Sequence, residues 1–206
     1  MKKIVILALF FFFVFSAMPC FADPAMTFSG DSYDLHGYTQ TVGWEFTVIN
    51  TITVTDLYWF DPTENLTNNY PVDIWRTSDS SVMASSGCVG YGCSGGSYDS
   101  TDRYWDTPIS SVTLVPGDYV IGGLINPGDP IASQLTGINT DPNIQYVQSA
   151  AVINGVLTIP GYGQGYNGYL GPDFGIGSST VPEPATMFLL GLGLIGLAGA
   201  RRKLKK

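Results

Sequence analysis

Val42-Gly43-Trp44-Glu45-Phe46-Thr47-Val48 alternates large apolar residues with small or polar ones, the period-two signature of a β-strand with one buried face. Trp44, Phe46 and Val48 are expected to point into a core. Ile52-Thr53-Val54-Thr55 repeats the alternation, after which Leu57 and Trp59 fall on the opposite parity. That change calls for a bulge near Asp56 or a strand buried on both faces, and Asp61-Pro62 should end it. Val72-Asp73-Ile74-Trp75-Arg76 and Ser81-Val82-Met83-Ala84 flank the polar Thr77-Ser78-Asp79-Ser80 and read as a hairpin with an exposed loop.

From Ser85 to Asp102 the chain is mostly Gly, Ser, Asp and Tyr and reads as a long loop, with pairing resuming at Tyr104 and Trp105. Val112-Thr113-Leu114 and Tyr119-Val120-Ile121 flank Pro116-Gly117, so a hairpin with a type II turn is expected there. Ile131 to Ile138 lies between two proline-containing turns and reads as a loop or a brief helix. Tyr146 to Ile153 and Val156 to Ile159 flank Asn154-Gly155, a strong hairpin dipeptide. The Gly-Tyr stretch from Gly161 to Gly171, with Tyr162, Tyr166 and Tyr169, reads as a loop. Between the two ends of the chain, no apolar pattern at 3.6 spacing persists for three turns. The fold class is therefore all-β, a single β-sandwich of jelly-roll type. A propeller or solenoid would show an internal repeat of fixed period, and none is present.

The two ends of the 206-residue chain read differently. Lys2 and Lys3 precede an apolar run from Ile4 to Phe15, then Cys20-Phe21-Ala22. This is the order of a secretory signal peptide over residues 1–22, a signal helix with cleavage expected after Ala22. The body, residues 23–180, has the size of one domain. Arg76 and Arg103 are its only cations, whereas all but one of the chain's 17 acidic residues lie within it. Such a surface cannot gain from counterion release on a polyphosphate, so nucleic acid is excluded as a partner. Cys88 and Cys93 are the only cysteines left after signal removal, and in an exported chain a close pair reads first as a disulfide. Over so short a loop it contributes about 2 kcal/mol. The metal-ligand alternative lacks the second pair and the histidines that zinc requires.

Pro182-Glu183-Pro184 forces an extended backbone. A charge-free run from Ala185 to Ala200 follows, about 24 Å long as a helix against a hydrocarbon core of about 30 Å. Arg201, Arg202, Lys203, Lys205 and Lys206 close the chain, a basic stop-transfer cluster that belongs on the cytoplasmic side and puts the body outside.

Motif, short Gly/Leu-rich span and basic end occur in the order of the PEP-CTERM sorting signal of Gram-negative bacteria, which residues 181–206 resemble. The resemblance implies recognition of Pro182, Glu183 and Pro184 by an exosortase, with the export machinery as a further partner. It also implies a transmembrane helix that holds the chain in the membrane until processing, and a destination at the cell envelope, the cell surface or the extracellular matrix, where exopolysaccharide and biofilm are the setting. More loosely, residues 43–48, 72–75 and 116–121 resemble an exported β-sandwich module of unknown function that is often found upstream of this tail.

Catalytic residues are not expected. His36 is the only histidine and has no nucleophile elbow near it. No cofactor is expected, although Asp99 with Asp102, or Asp61 with Glu64, supplies oxygen donors of the kind calcium takes. The expected role is that of a noncatalytic surface or matrix protein. The alternative is a carbohydrate-binding module for exopolysaccharide, using rings among Trp59, Trp75, Trp105 and the tyrosines, and the third reading is a glycan-active hydrolase built on two carboxyls.

Overall fold

The computed structural model describes residues 22–35, 37–62, 64, 68–161, 168 and 170–177. The expected signal helix, His36, the tyrosines of the Gly-Tyr stretch and the whole tail with its expected transmembrane helix lie outside the described residues.

The described residues form fourteen strands: β1 (Asp23–Pro24), β2 (Met26–Thr27), β3 (Gly30–Leu35), β4 (Gln40–Val48), β5 (Ile52–Phe60), β6 (Asn69–Arg76), β7 (Val82–Gly90), β8 (Ser97–Asp99), β9 (Tyr104–Leu114), β10 (Gly117–Ile125), β11 (Pro130–Thr136), β12 (Asn139–Thr140), β13 (Ile144–Val152) and β14 (Pro172–Ile176). No described residue is helical, so among the described residues no helix crosses a membrane. Two five-stranded antiparallel sheets form, in the orders β1-β14-β5-β9-β8 and β13-β4-β10-β6-β7, beside two ribbons, β11-β3 and β12-β2.

The sheets face each other as a sandwich because their inward rows are aromatic. Trp44, Phe46 and Val48 on β4 are buried as expected. Trp44 lies nearly parallel to Phe174 of the other sheet, with centroids 5.7 Å apart, and its indole Nε1 donates to the Pro172 carbonyl at 3.0 Å. Farther along, Trp59 of β5 stacks on Tyr70 of β6 at 3.9 Å. That indole occupies a slot made by glycines: a Cβ on Gly123 would come 2.4 Å from its ring, and one on Gly171 would come 2.7 Å from it. The parity change on β5 is a bulge, since the β5–β9 register shifts between Val54 and Asp56.

Both outer faces are covered in part. Tyr58 and Phe60 point opposite to Leu57 and Trp59, as alternation requires, yet they too are buried. The N-terminal segment lies against them, with Phe28 meeting Phe60 edge-on at 5.0 Å and the Tyr58 hydroxyl donating to the Ala22 carbonyl. On the second sheet, Trp75, Val120 and Ala150 are covered by Leu157 and Ile159.

Four expectations change. The β6–β7 hairpin exists, but β7 runs on to Gly90 and β8 forms within the expected loop. Residues 112–121 are not a hairpin: β9 pairs with β5 and β8, whereas β10 pairs with β4 and β6. The turn at Val115–Pro116 is a corner between stacked sheets, which needs the same turn residues as a hairpin. Ile131 to Thr136 belongs to a strand, β11, paired with β3. Finally, residues 156–159 form no strand. Asn154-Gly155 does turn the chain, with Gly155 at φ 70°, but the segment after the turn lies across the second sheet, where the Thr158 N–H donates to Thr41 Oγ1 at 3.3 Å. Leu157 and Ile159 bury their apolar surface there against Trp75 and Val120, which an edge strand would leave exposed.

Candidate functional site

The short β8, the loop joining it to β7 and the start of β9 bring three aromatic rings together at the surface. Cys88 and Cys93 form the expected disulfide. It closes a loop in which Gly90 and Gly92, at φ 122° and 78°, flank Tyr91 in conformations that side-chain-bearing residues avoid. Tyr91 is 59 % exposed and meets Trp105 of β9 edge-to-face, 5.8 Å between centroids at 89°. Tyr98 of β8 lies opposite Trp105 in the β8–β9 register, its ring 5.3 Å away.

Asp61 fixes this group from below. It is fully buried, its carboxylate accepts the Trp105 indole N–H at 3.0 Å, and its backbone carbonyl accepts the Tyr98 hydroxyl at 2.9 Å. Its own N–H donates to the Arg103 carbonyl at 2.8 Å. Burial, then the carboxylates of Asp61 and Glu64, push the Tyr98 hydroxyl above its ordinary pKa, so it stays a neutral donor. Replacing both cysteines with serine is expected to lower stability by about 2 kcal/mol and to loosen Tyr91, which urea unfolding and near-UV circular dichroism would register. An unchanged near-UV spectrum would show that Trp105 alone holds the ring.

Of the other sequence candidates, the carboxyls Asp61, Glu64 and Asp99 gather near Tyr98, whereas the remaining tryptophans lie elsewhere. Trp59 and Trp75 are buried and cannot present a ring to a ligand; packing between and upon the sheets accounts for them. The Asp61 carboxylate is engaged by Trp105, and Asp99 Oδ1 accepts the Thr101 N–H at 2.7 Å. Among the described residues no three metal-ligating side chains converge. Burial first, and then Asp99 and Asp23, raise the Asp102 carboxyl above its usual pKa.

Sequence reasoning did not single out Asp173. This fully buried carboxyl accepts the Met26 N–H at 3.2 Å and the Phe174 N–H at 2.8 Å, joining the N-terminal segment to the first sheet. Burial pushes its pKa well up, against the opposing pull of those two bonds and the nearby Tyr104 hydroxyl. Nothing in Gly-Pro-Asp-Phe signals burial, because the cover arrives from residues far away in the chain. Tyr91 had a local signal, an aromatic residue between two glycines within a cysteine pair.

No match to the chain was found among curated proteins. Residues 180–203, however, match the PEP-CTERM protein-sorting motif, and the chain therefore carries the signal of an exported, cell-surface-directed protein of Gram-negative bacteria with an exosortase as its processing partner.

Proposed function

We propose that the chain is a noncatalytic component of the cell surface or extracellular matrix, held by its tail until an exosortase acts near Pro182-Glu183-Pro184 and releases or transfers the sandwich. The sorting motif at residues 180–203 carries this reading. It begins just after the last described strand, β14, so the signal follows the folded body directly.

The body supports a structural role. Interleaving of the two strand orders, with β14 between β1 and β5 and with β10 between β4 and β6, supports reading the sandwich as one of jelly-roll type. Its carboxylates serve to fix loops and strands: Asp106 accepts the Ser97 N–H at 2.9 Å, Asp118 the Thr47 hydroxyl at 2.7 Å, Asp141 the Asn143 N–H at 2.8 Å and Asp129 the Asn68 amide at 3.0 Å. A domain closed by side-chain hydrogen bonds, a disulfide and an aromatic core suits a setting outside the cell.

In an exosortase-proficient strain, the wild-type protein is expected to leave the membrane fraction with its C-terminal segment removed. The Pro182→Ala, Glu183→Ala variant is expected to stay full-length in the membrane. Intact-mass analysis of each fraction decides it: wild-type protein that stays full-length in the membrane sinks the proposal.

A further inference from the structure

Of the four tryptophans in the chain, Trp44, Trp59 and Trp75 are buried, and only Trp105 is partly open. It lies between Tyr91 and Tyr98, and each of its ring contacts is held from outside the group, by Asp61 on one side and by the disulfide loop on the other. An exposed tyrosine whose loop is tied this firmly has already lost most of the freedom that binding would otherwise remove.

We propose that the surface formed by Tyr91, Trp105 and Tyr98 binds a neutral polysaccharide, whose pyranose rings lay their C–H faces on Tyr91 and on the open part of Trp105. Two observations select this ligand class. The first is spacing. At 5.3 and 5.8 Å between centroids the rings touch one another, so no slot remains among them for the quaternary ammonium that an aromatic cage encloses. They offer an outward apolar surface at the edge of a sheet, open to a chain lying across it.

The second is charge. Glu64 and Asp99 are exposed and act electrostatically on Tyr98 together with the buried Asp61, outnumbering the one cation that also acts on it, Arg103, whose guanidinium lies over the Phe60 ring. Carboxylates here accept hydrogen bonds from sugar hydroxyls and repel uronates, phosphates and nucleic acid. The inference deepens the surface role proposed above and rests on it for location only. Its readout is glycan retention, so its failure and a failure of tail processing are told apart.

The full-length chain, solubilised in a zwitterionic detergent without a sugar headgroup, would be run in native gels containing hydroxyethylcellulose, laminarin or galactomannan. Gels with polygalacturonate and with no polymer complete the set. At least one neutral polymer is expected to retard the protein, and Tyr91→Ala to weaken that affinity about tenfold, while Tyr91→Phe keeps it. Tyr91 is exposed, so its replacement leaves the core intact, and a circular dichroism spectrum matching wild type verifies this. The proposal is overturned if no neutral polymer retards the folded protein, if polygalacturonate retards it as strongly, or if Tyr91→Ala migrates as wild type does.

Discussion

Trp44→Ala is expected to lower the stability of the body by about 3–5 kcal/mol, a large fraction of the roughly 5–15 kcal/mol typical of a whole domain. The indole is fully buried and contacts Phe46 at 5.0 Å, Phe174 at 5.7 Å and Tyr146 at 6.2 Å. Truncation loses the transfer energy of the ring and leaves a void between the sheets. It also removes the donor from the Pro172 carbonyl. Trp44→Phe retains much of the ring and loses the hydrogen bond, so it should cost about 1–3 kcal/mol. Urea unfolding of the three proteins tests the order. A Trp44→Ala midpoint close to wild type would show that the sheets are not held together at this contact.

The second large effect lies at Asp173. Alanine there leaves the Met26 and Phe174 N–H groups buried without their acceptor, at about 1–3 kcal/mol each. The pH dependence is more diagnostic. Burial raises the native pKa above the ordinary value, so between about pH 4, where an unfolded aspartate titrates, and the native pKa the folded chain holds the extra proton. Stability contributed by this group is therefore fully present at low pH and is lost as pH rises toward and through the native value. Asp73 and Asp102, whose carboxyls burial also raises, add the same sign, whereas Asp79 is lowered, chiefly by its bond from Ser81, and acts oppositely. Asp173→Asn removes the largest contributor. Its unfolding free energy should change less between about pH 4 and 8 than that of wild type, and parallel curves would refute the assignment.

Where a strand faces one core and its alternation is intact, the sequence is readable without the fold. Trp44, Phe46 and Val48 show it, as do the β6–β7 hairpin and the parity change on β5. Alternation reports which side chains share a face and leaves the identity of the neighbouring strand open. Residues 112–121 differ from expectation for that reason, since a reversal at Pro116-Gly117 is compatible with a hairpin in one sheet and with a corner between two. β3 and β11 escape a reading by pattern because Gly-Asp-Ser-Tyr-Asp-Leu and Pro-Ile-Ala-Ser-Gln-Leu-Thr carry weak periodicity, and each forms its ladder with a segment about 100 residues away.

The candidate site divides in the same way. The disulfide is legible because five residues of separation can be judged from the chain alone. The convergence of Tyr91, Tyr98 and Trp105 over Asp61 is not, because it requires β8 and β9 to pair and β5 to end beside them.

By itself, then, the sequence determined the strands with strong alternation, the acidic character of the body, the Cys88–Cys93 link and the address at its C-terminus, all of them properties of local composition and spacing. Which strands share a sheet, which carboxyl is buried and which aromatic rings face outward were settled by the folded arrangement. Those depend on burial between segments distant in the chain, and burial is a property of the assembled layers rather than of any one stretch of residues.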